Sequence, residues 1–292
     1  MSLPVFDPAA LRCGGEDAAG CLTDAQVEAV EKVYAGPRNP RTGEQVFPGW
    51  SFGSEDLGRG GGWAGYLVRP SEPMRVGYWA RWVFGDPNWD WRTFDWDRDL
   101  DYAQQRMGMV DATDPDLGAF SRRGGKLLLY AGWSDAVVPA ADTTAYFEAV
   151  QRASGGPDPT AGFARLFMAP GMGHCGGGPG PDTFDALSAL EQWVEGGVAP
   201  ARLIASKVVD GAIVRTRTLC AYPQVARYTG EGDINDAEHF RCVLRSECGD
   251  CLASALLLRP PLVAFEIAWA DFGPVNVARG VDRHTFREAR AA

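Results

Sequence analysis

Apolar residues in this chain fall into short continuous runs and into helix-spaced faces, and the two alternate most regularly in its middle third. The run inside Lys126-Leu-Leu-Leu-Tyr130 has strand length and breaks at glycine before Trp133-Ser-Asp135. The run Phe163-Ala-Arg-Leu-Phe-Met-Ala169 repeats that design and ends in Pro170-Gly-Met-Gly-His174-Cys175. Between them, Thr144, Phe147 and Val150 share one side of a predicted helix over about 141–153, which Gly155-Gly-Pro157 stops. Strand, helix, strand in that order predicts a parallel pair and an α/β class. Asp182-Thr-Phe-Asp185 reads as an N-cap with an acid three residues on. The helix it opens, to Glu195, should bury Phe184, Leu187, Leu190 and Val194 and close at Gly196-Gly197. Leu203–Val209 and Ala212–Thr218 flank Asp210-Gly211, a two-residue hairpin signal.

Ahead of this block the pattern is less regular. Thr23-Asp-Ala-Gln26 is a capping box that opens a helix with Val27, Val30 and Tyr34 on one face, stopped by Gly36-Pro37. A polar segment from Asp97 to Ala119 reads as helical and leads into a boundary at Phe120-Ser-Arg-Arg-Gly-Gly125. The stretch between is rich in glycine and proline and holds most of the ten tryptophans. Such a concentration suits a small aromatic core under irregular loops, or a surface that stacks on flat substrates. Beyond Val243 the texture changes again, and Cys248-Gly-Asp-Cys251, without a second pair, is a weak signal for zinc or redox work. Three segments result: 1–122, 123–243, and an atypical tail over 244–292.

Composition narrows the partners. A chain of 292 residues with 46% hydrophobic and 23% charged residues has ordinary globular values and material for one large or two ordinary domains. Its net charge of -10, with no compensating basic run, disfavours nucleic acid and anionic membrane surfaces. No stretch approaches the roughly 20 apolar residues of a membrane span. Seven cysteines suit an exported protein, yet Met1-Ser-Leu-Pro-Val-Phe-Asp7 has no secretory signal, so the expectation is a chain that lacks its front. Cys13 and Cys21 are spaced for a local disulfide or two free thiols, and Cys220 and Cys242 bracket a loop they could tie.

The candidate chemistry lies on the two strand-then-loop units. An aspartate, Asp135, and thirty-nine residues later a histidine, His174, each just past a buried strand, stand in the order in which α/β hydrolases supply the last two members of a Ser, Asp, His triad. A buried carboxylate fixes the imidazole in one tautomer, so that its other nitrogen accepts a serine proton. Gly49-Trp-Ser51-Phe-Gly53 matches the nucleophile pattern literally, but polar sequence ending in Pro48 precedes it and a glycine-rich stretch follows, so neither the strand nor the helix of an elbow is present. Asp233, Asn235 and Asp236 lack a full calcium ligand set and read as a solvated turn.

Taken together, Phe6-Asp-Pro-Ala-Ala-Leu-Arg-Cys13, Cys21-Leu-Thr-Asp-Ala-Gln26, Phe47-Pro-Gly49, Asp86-Pro-Asn-Trp89, Gly132-Trp-Ser-Asp135, Gly171-Met-Gly-His-Cys175 and Cys220-Ala-Tyr-Pro-Gln-Val-Ala-Arg-Tyr228 resemble the tannase and feruloyl esterase family of α/β hydrolases over about residues 3–243. The resemblance implies an incomplete α/β-hydrolase fold: the last strands of the parallel sheet over 123–243, preceded by part of an inserted lid domain over 1–122. It implies Asp135 and His174 as catalytic residues, disulfides Cys13 with Cys21 and Cys220 with Cys242, and Cys175 beside the base as the partner of a cysteine next to the nucleophile. In the family the nucleophilic serine, the oxyanion loop and a structural calcium loop lie upstream of the matched segment; catalysis itself uses no cofactor. The implied activity is hydrolysis of a small aromatic or phenolic acid ester by a secreted or periplasmic protein, with Trp79, Trp82, Trp89, Trp91 and Phe94 as candidate pocket walls, and without the serine the chain alone should be inactive. The alternative is a non-catalytic remnant that binds aromatic ligands.

Overall fold

The computed structural model describes residues 6–15, 20–57, 61–67 and 75–244. Cys248, Cys251 and the tail beyond 244 lie outside the described residues. Two compact units emerge, one from residues 7–50 and 61–114 and one from residues 6, 51–57 and 115–244.

In the first unit, α1 (Asp24–Ala35) starts at the predicted capping box: Thr23 Oγ1 accepts from Gln26 N, and Gln26 Oε1 from Thr23 N. Val27 is buried, while Val30 and Tyr34 are half-buried. The stop at Gly36 is steric as well as conformational, because at φ 74° an added Cβ would lie 2.5 Å from the Gly49 backbone nitrogen. The polar helix is shorter than its pattern suggests. α2 spans Arg98–Met107, and Gly108 opens one 3₁₀ turn before residues 111–117 run without regular structure. Asp114-Pro115 keeps the helix from resuming there, since proline disfavours helix in the residue before it. Ahead of α2, Arg41 and Asn39 both donate to Asp97 and hold its carboxyl down to about 2.

The second unit carries the α/β core. β1 (Leu127–Gly132) pairs in parallel with β2 (Ala164–Ala169), joined by α3 (Ala140–Ala153). β2 alternates between two apolar clusters. Leu166 and Met168 pack with Phe147 and Val150 of α3, whereas Phe167 and Ala169 pack with Met172, Leu203 and Leu219. Burial on both faces is what its continuous apolar run requires. Leu117 and Phe120 pack on the first cluster, so residues 115–122 fold with this unit and not with the segment 1–122 to which the sequence assigned them.

After β2 comes α4 (Ala186–Gly196), and its register differs from expectation. Asp185 caps it by accepting from Ser188 N at 2.9 Å, which leaves Asp182 outside the helix. Trp193 is the fully buried residue of the helix, while Leu187 and Val194 are 66% and 59% exposed. The bulky indole takes the inward position, and the Lys126 and Arg165 side chains lie over its face. β3 (Arg202–Val209) and β4 (Ala212–Cys220) form the predicted hairpin, with Asp210 and Gly211 both at positive φ, as a type I′ turn demands. β5 (Gln224–Tyr228) pairs with β6 (Phe240–Leu244), and Cys220–Cys242 ties the two hairpins. In the first unit Cys13 is bonded to Cys21. Both pairings are those the family resemblance implied.

Candidate active site

Gly132 ends β1 and makes the site's geometry possible. An added Cβ there would lie 2.0 Å from the Met172 carbonyl oxygen, so only glycine lets the loop after β1 pass against the loop after β2. Backbone hydrogen bonds then join the loops: Trp133 N donates to Ala169 O at 3.0 Å and Ser134 N to Met172 O at 3.1 Å. This contact brings two residues thirty-nine positions apart into one site.

Asp135 is 6% exposed. Its Oδ1 accepts from Val137 N at 2.7 Å and Val138 N at 3.0 Å, just ahead of α3, which fixes the carboxylate plane. Its Oδ2 lies 2.9 Å from His174 Nδ1. For that bond Nδ1 carries the proton, and Nε2 is left as the basic nitrogen. The His174 side chain is 40% exposed against 8% for that of Asp135, so the ring reaches outward from a buried anchor. The next residue, Cys175, sits at φ 60° with an exposed free thiol.

Two further features were not read from the sequence. Residues 51–57 lie on these loops: a Cβ on Gly53 would come 3.3 Å from Ser134 Oγ, and one on Gly173 would come 2.7 Å from Leu57. The literal nucleophile pattern pointed to Ser51, whereas the contacts come from its neighbours. Ser51 lies in no strand-to-helix turn, its carbonyl accepts from Ser54, and no serine hydroxyl among the described residues hydrogen-bonds to His174. The second feature is the set of ties that Asp182 and Lys207 make to Gly177 and Gly178 after His174.

The five candidate pocket aromatics, Trp79, Trp82, Trp89, Trp91 and Phe94, lie in the first unit. Trp79, Phe84, Trp89, Phe94 and Tyr102 stack or meet edge to face at centroid distances of 4.6–6.5 Å. Trp82 stands apart, 61% exposed and stacked on Tyr78. Trp89 and Trp91 border an open cleft of about 430 Å³ with Arg81, Asn88 and Arg92.

The acidic cluster found among the described residues does not fit a calcium ion. Asp236, Glu238 and His239 come together, but three ligands, one an imidazole, fall short of the 6–8 oxygens calcium takes. Asp233 Oδ1 already accepts from the amide and the side chain of Asn235, and Asp236 Oδ1 from Glu238 N.

The family model for tannase and feruloyl esterase matches residues 2–243. The chain belongs to that family. It is 36% identical over 282 residues to an uncharacterized esterase of Xanthomonas campestris, covering 82% of this chain and 49% of the relative. It is 39% identical over 280 residues to the mono(2-hydroxyethyl) terephthalate hydrolase of Piscinibacter sakaiensis, covering 81% and 46%. Among solved structures, feruloyl esterase B from Aspergillus oryzae superposes with a TM-score of 0.70 at 28% identity, over 81% of this chain and 50% of that one. The tannin acyl hydrolase from Aspergillus niger, at 19% identity and a TM-score of 0.61, shares the fold. The chain therefore has the α/β-hydrolase-like fold of a family of carboxylic ester hydrolases, and it spans about half the length of the curated relatives it matches.

Proposed function

We propose that this chain supplies the general base and its orienting carboxylate to a serine hydrolase that cleaves small aromatic acid esters. The observation that carries the reading is the 2.9 Å contact between His174 Nδ1 and a buried Asp135 whose other oxygen is held by two amides. His174 Nε2 takes the proton as a serine oxygen bonds to the acyl carbon, and returns it to the departing alkoxide, leaving an acyl-serine. The same nitrogen then activates water, which releases the acid and restores the serine. Asp135 stays ionised throughout and stabilises the imidazolium.

The nucleophile in this reading is a serine other than Ser51, outside the described residues. A feruloyl or terephthalate ester is the substrate class, drawn from the names of the relatives. The reaction needs no cofactor. Two disulfides support a secreted or periplasmic location.

The test uses two proteins: this chain by itself, and the chain joined behind the N-terminal half of the terephthalate hydrolase relative. Only the joined protein should hydrolyse methyl ferulate or the hydroxyethyl terephthalate ester. Turnover by the chain alone at a comparable rate would show that it holds its own nucleophile. A folded joined protein that binds these esters without cleaving them would favour the ligand-binding alternative.

A further inference from the structure

The loop that carries His174 should be poorly ordered by composition, since Gly171 and Gly173 precede the histidine and Gly176, Gly177, Gly178 and Gly180 follow it. A base must stay within hydrogen-bond reach of the proton it takes, and a misplacement of about 1 Å can cost about a hundredfold in rate. The order must come from elsewhere in the fold. Building on the reading of His174 as the base, we infer that Lys207 and Asp182 are positioning residues that clamp this loop.

The connections run in series. Asp182 Oδ2 accepts from Gly177 N at 2.7 Å, and Lys207 Nζ donates to Gly178 O at 2.6 Å. Lys207 Nζ lies 3.2 Å from Asp182 Oδ1, and the two side chains are only 19% and 18% exposed. Gly177, held by Asp182, accepts through its carbonyl from Gly173 N at 3.1 Å, the amide just before His174. Both ends rest on regular backbone. Lys207 is in β3, paired with β4, and the amides of Asp182 and Thr183 both donate to Ser206 O. Because α4 is capped by Asp185, Asp182 is free for this work. A partly buried, doubly hydrogen-bonded pair supplies order that the glycines cannot.

The readouts are independent of turnover, so a chain that hydrolyses no ester still reports on the clamp. One is hydrogen exchange of the Gly177 amide. The other is the low-field NMR signal of the imidazole proton shared with Asp135, assigned by its loss in Asp135→Asn. In Lys207→Met, Gly177 protection should fall tenfold or more and the imidazole signal should broaden away, while the β1 amides change less than twofold; Lys207→Arg should retain both. Unchanged Gly177 protection and an unchanged imidazole signal in Lys207→Met would overturn the proposal. If the β3 and β4 amides show that Lys207→Met unfolds the hairpin, Asp182→Asn carries the same test, with the same result counting against the clamp.

Discussion

In the joined protein, His174→Ala should lower kcat on an aromatic ester by on the order of a millionfold and leave KM nearly unchanged, the size of loss seen when the histidine of a triad protease is removed. The ring touches the transferred proton and not the acyl group, so its loss falls on the transition state rather than on ground-state binding. Asp135→Asn should cost less, about ten-thousandfold. The amide would retain much of the geometry, including the bonds from Val137 and Val138, but its NH₂ facing Nδ1 would favour the wrong tautomer. Steady-state kinetics on the two variants check the order and the split. Equal, small losses from both would mean that neither residue takes part in proton transfer.

The second large effect is structural and is expected in the chain by itself. Gly132→Ala should destabilise the second unit by about 3 kcal/mol, the upper end of ordinary overpacking, because the new methyl would meet the Met172 carbonyl at 2.0 Å and the Gly173 oxygen at 2.7 Å, both backbone atoms. Relief requires the loop after β1 to move away from the loop after β2, which separates Asp135 from His174. Gly196→Ala is the control. Nothing lies within 4 Å of that position, and the change should be neutral or slightly stabilising. Urea unfolding followed by tryptophan fluorescence measures both. A Gly132→Ala chain as stable as the parent would mean that the loops are not locked as described.

These contacts show which parts of the fold could be read from residue order. The Asp135 and His174 loops were legible because each follows an unbroken apolar run of strand length with a glycine close to its end, although only β2 is buried on both faces and Tyr130 of β1 is 49% exposed. The register of α4 was not, since Asp182 and Asp185 are equally good caps three residues apart. The tertiary contact of Lys207 with Asp182 decides between them, leaving Asp185 to accept the local capping bond from Ser188 N. The length of the helix after Asp97 was over-read from polarity alone, which does not distinguish a solvated helix from a solvated loop. The place of residues 51–57 left no pattern at all, because the contact at Gly53 depends on a missing side chain. An aromatic concentration in the first unit was evident from composition, but the exposure of Trp82 and the stacking of Phe84 between Trp89 and Tyr102 were not.

The central claim, that His174 activates a serine which is not Ser51, is tested most directly by labelling the joined protein with a fluorophosphonate and mapping the adduct by mass spectrometry. One labelled serine is expected within the N-terminal half, with labelling abolished by His174→Ala and no adduct on the 292-residue chain alone. An adduct on Ser51 that depends on His174 would contradict it.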